Sequence, residues 1–203
     1  MRVLVITDTH GIYKGVYEKN KDKLVNLDRV ILLGDHYVAE VNQMKEHFKD
    51  ILMYGLYGNH DMPDTLQNIP NFDHKLMELG NFHYTGLNGS HRYKPTQAFG
   101  YEQPEGIIVC KSLPKADVLF CHDGPYNPNK DDAHCGLKGI SQYIKDNKPK
   151  TVIHGHLHSP NHYTIKNSLF GGKTDVYCVY QLAIVDFNDD GTVNKVDQLE
   201  TFL

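Results

Sequence analysis

The chain has 203 residues, 40% hydrophobic and 23% charged, which is the composition of a globular protein able to bury a substantial core in one domain spanning residues 1–203. A formal net charge of −4 argues against holding long nucleic acid by general electrostatics, and the apolar start from Val3 to Ile6 is too short for a signal peptide or a membrane span. Cys110, Cys121, Cys135 and Cys178 form no CxxC pair, so reduced thiols and a cytoplasmic location are expected.

Apolar runs rich in β-branched residues recur along the chain, and each ends in a polar cluster. Arg2 to Ile6 leads into Thr7-Asp8-Thr9-His10, followed by a helix expected over Val16 to Leu27. Arg29 to Leu33 leads into Gly34-Asp35-His36, and Val38, Val41, Met44 and Phe48 then fall at helical spacing. Ile51 to Tyr57 precedes Gly58-Asn59-His60-Asp61, while Gly86 to Gly106 reads as a loop-rich stretch. Asp117 to Cys121 precedes His122-Asp123-Gly124; a helix through Leu137, Ile140, Tyr143 and Ile144 ends at Lys148-Pro149. Thr151 to Ile153 precedes His154-Gly155-His156-Leu157-His158. Finally, Asp175 to Tyr180, Leu182 to Phe187 and Thr192 to Leu199 read as antiparallel strands, with Asn188 to Gly191 as a hairpin turn.

Short continuous apolar strands alternating with helices predict an α/β fold, and the antiparallel tail adds a mixed β-sheet sandwich flanked by helices. In such folds ligands bind beyond the carboxyl ends of the strands, where the polar clusters fall. Asp8/His10 and His156/His158 are two residues apart, so in extended backbone each pair aims two side chains one way. With Asp35, Asn59 and His122 they make seven nitrogen and oxygen donors without a thiolate. That set suits manganese foremost, with iron, zinc, cobalt and nickel as alternatives. Seven donors are too many for one ion and fit two, provided one carboxylate bridges them; such a pair can clamp an in-line displacement at phosphorus.

In order, these blocks (DxH, GD, GNHD, H and GHxH) resemble the signature of the calcineurin-like metallophosphoesterases and span Asp8 to His158. The resemblance implies a four-layer α/β/β/α sandwich and a dimetal phosphoester hydrolase. Asp8, His10 and His158 would hold one metal, Asn59, His122 and His156 the other, with Asp35 between them. It further implies a metal-bridging hydroxide as nucleophile, His60 as the general acid at the leaving oxygen, and Asp61 orienting the His60 ring. The stretch from Gly124-Pro125-Tyr126 through Asp131 to the GHxH block is also similar to small metallophosphoesterase-domain proteins that include cyclic-nucleotide phosphodiesterases.

The GDxVDRG and GNHE versions found in protein Ser/Thr phosphatases are missing, because Gly34-Asp35 runs into His36-Tyr37-Val38. The expected substrate is therefore a small phosphate diester or monoester, with no stable nucleic-acid complex and no membrane. A metal-dependent nuclease and a non-catalytic interaction module on the same fold are the alternatives. His36, His154 and Asp123 are read as packing or hydrogen-bonding neighbours of the ligands, and Arg92, Lys94, Asn127, Lys130 and His134 as solvated loop residues.

Overall fold

The computed structural model describes residues 1–167 and 172–202. In chain order it runs β1 (Arg2–Thr7), α1 (Tyr13–Asn20), β2 (Arg29–Leu32), α2 (Val38–His47), β3 (Met53–Gly55), β4 (Met77–Leu79), β5 (Phe82–Leu87), β6 (Ser90–His91) and β7 (Gly100–Tyr101). It continues through α3 (Gln103–Lys111), β8 (Val118–Cys121), α4 (Lys138–Asn147), β9 (Thr151–His154), β10 (Asn161–Asn167), β11 (Gly172–Cys178), β12 (Gln181–Phe187) and β13 (Val193–Gln198).

Two mixed sheets, in the orders β13-β12-β1-β2-β3 and β10-β11-β9-β8-β5-β4, hold most of the strands. Alternation along each strand decides what lies between them. Val3, Val5 and Ile31 of the first sheet meet Tyr84, Val118, Phe120 and Ile153 of the second in a shared core, while Leu4, Ile6, Val30 and Leu32 point the other way onto Tyr13 and Val16 of α1 and Val41 and Met44 of α2. On the far side Leu119, Cys121, Val152 and Val176 pack against Cys110 of α3 and Ile140, Tyr143 and Ile144 of α4. The result is the expected α/β/β/α sandwich, in which central strands buried on both faces have to be apolar throughout.

The structure departs from the sequence expectation in several places: β4, β5 and β10 stand where no strand was expected, and three further differences concern pairing and element boundaries. Strand β11 does not join the antiparallel tail; it pairs parallel with β9 and antiparallel with β10, so the chain changes sheets between Cys178 and Gln181, where Gln181 has φ +56°. The hairpin of β12 and β13 is as expected, with Gly191 at φ +84° in its turn. The first helix begins earlier and stops at Asn20, whose side-chain amide bonds both Val16 O and Glu200 O and so turns the chain toward the C-terminal segment. The loop-rich stretch hides the short parallel pair β6 and β7 and the start of α3, whose internal Gly106 and unbroken Ile107-Ile108-Val109-Cys110 run give no helical periodicity.

Candidate metal centre

Strands β1, β2, β8 and β9 deliver their carboxyl ends to one rim, and the loops that leave them carry the polar clusters. The side chains converge through unusual backbone rather than through extended strand. Asp8, His10, Asp35, His156 and His158 all have positive φ, between 43° and 68°. That region costs a non-glycine residue on the order of 1 kcal/mol or more, and short polar side chains tolerate it best. The pairing of residues two apart is therefore made by tight loops just beyond the strands, and not by strand geometry as the sequence suggested.

Two groups of donors result, and in each the ligand atoms lie within 4.8 Å of one another: Asp8 with His10 and His158, and Asp35 with His122 and His156. His10 Nε2 is 3.2 Å from His158 Nε2, and His158 Nε2 is 3.3 Å from Asp8 Oδ1. In the second group His122 Nε2 lies 3.5 Å from Asp35 Oδ2 and 2.9 Å from Asn59 Oδ1. Asp35 Oδ2 also faces the first group, 3.8 Å from His10 Nε2. All seven predicted ligands are thus gathered at one rim.

Neighbouring groups fix which atom of each side chain faces inward. His122 Nδ1 donates to Leu33 O at 2.7 Å and leaves Nε2 for the cleft, whereas His156 Nε2 donates to Ala133 O at 2.8 Å and leaves Nδ1. Asp8 Oδ2 accepts from Thr7 Oγ1 and from the His156 amide; Asp35 Oδ1 accepts from the His60 amide. The other oxygens, Asp8 Oδ1 and Asp35 Oδ2, are buried with no hydrogen-bond partner. A buried carboxylate oxygen with nothing to bond is costly unless a cation occupies its free side, so these two atoms fit a metal pair. A side chain at Gly155 would run into Thr7 Oγ1 and Asp8 Oδ2, which is why the residue before His156 is glycine.

The charge balance agrees. Burial alone would raise the Asp8 acid, but His158, 3.3 Å away, and the charge of His122 hold it well below the usual carboxylate range. Burial opposes ionisation of Asp35 too, and His122 outweighs it. Against its own burial, the His122 imidazole is carried up to about 10 by Asp35. It holds a proton that a metal ion would displace.

His60 is exposed at the lip, its ring 5.5 Å from that of His10. Its Nε2 is 3.3 Å from the Tyr93 hydroxyl, which also accepts from Asn59 Nδ2 at 3.1 Å. Asp61, expected to orient the His60 ring, is committed elsewhere: Oδ2 accepts from the amides of Asp35 (2.9 Å) and Gly58 (2.7 Å), and Oδ1 from the amide of His36 (2.9 Å). It fastens the Asp35 loop to the Asn59 loop. Glu40 does similar work between the loops after β1 and β2, accepting from Thr9 Oγ1 and from the amides of Tyr13 and Tyr37. Tyr93 and Glu40 escaped the sequence reading because each lies in a segment without any motif.

The sequence profile described as the calcineurin-like phosphoesterase superfamily domain matches residues 1–172. No curated protein sequence matches the chain. One crystal structure superposes with a TM-score of 0.69 at 14% identity, covering 98% of this chain and 99% of its own. A single mutant of Vps29 from Entamoeba histolytica gives 0.50 at 16% identity, covering 100% of both chains. A conserved uncharacterized protein from Streptococcus pneumoniae, entitled a predicted phosphoesterase, gives 0.47 at 14% identity, covering 97% of this chain and 95% of its own.

Proposed function

From the premise that the chain belongs to the calcineurin-like phosphoesterase superfamily, we propose that it is a dimetal enzyme hydrolysing a small phosphate diester or monoester. The observation that supports this most is Asp35 Oδ2, a buried and unpartnered oxygen that faces both donor groups, 3.8 Å from His10 and 3.5 Å from His122. Asp8, His10 and His158 would hold one ion, and Asn59, His122 and His156 the other, with Asp35 common to both. Manganese suits the all-nitrogen-and-oxygen set. A bound pair of divalent cations supplies Lewis acidity at phosphoryl oxygens and acidifies water.

The protein's own groups do the rest. His60 stands exposed at the lip, where it can meet the ester, and donates a proton to the departing oxygen. The Tyr93 hydroxyl holds that ring against Asn59. Asp61 and Glu40 keep the loops in register, so that the donors are placed before substrate arrives. A net charge of −4 counts against a nuclease, and seven donors in place count against a decayed binding module. Four free cysteines suit a reducing, cytoplasmic setting.

The test is a substrate panel on manganese-loaded protein: cyclic nucleotides, aryl diesters, aryl monoesters and single-stranded DNA. Turnover of a small ester, abolished by chelation, is the expected result. Absence of turnover on every ester by protein with both ions bound would leave the binding-module reading.

A further inference from the structure

A second set of metal-ligating side chains lies outside the seven. Where β6 meets the 3-10 turn Asp132–His134, the ring nitrogen of His91, a carboxylate oxygen of Asp132 and the Sγ of Cys135 all lie within 4.8 Å of one another. His91 and Cys135 are buried at 6% and 7% exposure, while the Asp132 side chain is open to water, so the cluster has one wet side.

The hydrogen bonding around His91 calls for a cation. Its Nδ1 is 3.3 Å from the Tyr101 carbonyl oxygen, which can only accept, so the ring proton belongs there. The neutral ring then turns the Nε2 lone pair toward Asp132 Oδ1 at 3.2 Å, acceptor against acceptor. Either a second ring proton or a metal ion removes that repulsion, and only a metal ion also uses the sulfur. The carbonyl behind Nδ1 is the usual partner that sets a histidine to ligate through its other nitrogen. Around Cys135 Sγ lie Gln103 Nε2 at 3.7 Å and the carbonyl oxygens of Asp132 and Gly136 at 3.5 and 3.6 Å, so the sulfur is a thiol donor whose proton a metal ion would replace.

We propose that His91 Nε2, Asp132 Oδ1 and Cys135 Sγ bind a third divalent ion of the zinc class, with water completing the coordination at the exposed side. Imidazole, carboxylate and thiolate together suit zinc or cobalt and disfavour manganese. Burial and the nearby Asp123 and Asp132 carboxylates raise the Cys135 thiol, so it arrives protonated. As the sulfur-metal bond forms, the S–H proton leaves to solvent, and nothing is oxidised or reduced.

Such an ion has structural work to do. Ala133, between Asp132 and His134, supplies the carbonyl that accepts from His156 Nε2 and so aims His156 into the cleft. An ion held by Asp132 on one side of Ala133 and Cys135 on the other would fasten that turn to β6. This consequence rests on His156 being a ligand of the proposed dimetal centre; the third site itself does not.

Cobalt(II) distinguishes the two, because cobalt bound through sulfur absorbs in the near ultraviolet by charge transfer and the seven-donor cleft contains no sulfur. Chelated protein titrated with cobalt should bind about three ions per chain and develop that band. Cys135→Ser and His91→Ala should each bind about one ion fewer; the band should vanish in Cys135→Ser, while the visible bands of the remaining pair persist. Melting of the chelated variants checks that they fold, and the wild-type spectrum stands whatever they do. A wild-type protein that binds cobalt without the near-ultraviolet band, or a band that survives Cys135→Ser, overturns the proposal. If the dimetal reading alone were wrong, the band would remain with about one ion bound.

Discussion

Replacing Asp61 separates two roles for a buried carboxylate. The structure gives it three backbone amides to satisfy, those of Asp35, Gly58 and His36, at 2.7 to 2.9 Å. In Asp61→Asn the remaining oxygen can serve Asp35 and Gly58, but the new amide group meets the His36 N–H donor to donor. One buried N–H is left unsatisfied, at a cost of about 1–3 kcal/mol. Asp61→Ala strands all three and should cost about 3 kcal/mol or more. Part of this is offset, because burial holds the Asp61 acid above the ordinary range and removal relieves a buried charge. Loosening these amides also frees the backbone that holds Asp35 at φ +60°, so metal affinity should fall by about 10- to 100-fold. Urea unfolding of chelated protein measures the first effect, and competition with a chromogenic chelator the second. If Asp61→Asn kept wild-type stability and metal affinity, and slowed only esters with poor leaving groups, Asp61 would be acting on His60 instead.

His60→Ala should cost about 10²- to 10⁴-fold on an alkyl or nucleoside ester and much less on a nitrophenyl ester, whose leaving group needs no proton. Metal content should stay near wild type; a lost ion would make His60 a ligand. Cys121→Ser should stay active in a steady-state assay, since Cys121 lies in the core beneath His122 with its thiol pushed well up by burial. His154 gives a pH dependence: burial lowers its imidazole to about 4, so the unfolded chain binds the extra proton between roughly pH 6.5 and 4, and stability must fall as pH falls through that window. The loss amounts to about 3 kcal/mol, read as the difference between wild-type and His154→Gln unfolding curves. Parallel curves would show that His154 titrates alike in both states.

The candidate donor cluster was legible because its side chains sit at strand ends, where short apolar runs announce the strand and Asp, Asn and His announce its loop. What produces the convergence was not legible. Positive φ at Asp8, His10, Asp35, His156 and His158 is a loop property with no periodic signature, and the sequence suggested extended backbone in its place. Asp61 illustrates a related limit. The family resemblance implied that it orients the His60 ring, whereas its contacts run to amides 3, 25 and 26 residues away, which only the packed loops bring together. Strand β11 read correctly as a strand, but pairing depends on which sheet the chain enters after β10, and alternation within a strand does not encode that. The helix α3 was hidden because helical periodicity needs a polar face, and Ile107 to Cys110 offers none.

The central claim is that Asp35 joins two ions in one catalytic unit. Chelated protein should regain phosphoesterase turnover as manganese is added, reaching its limit near two bound ions per chain by elemental analysis, and Asp35→Asn should recover neither full metal content nor turnover. Full activity at one ion or fewer, or an Asp35→Asn protein with wild-type turnover and metal content, would contradict the account.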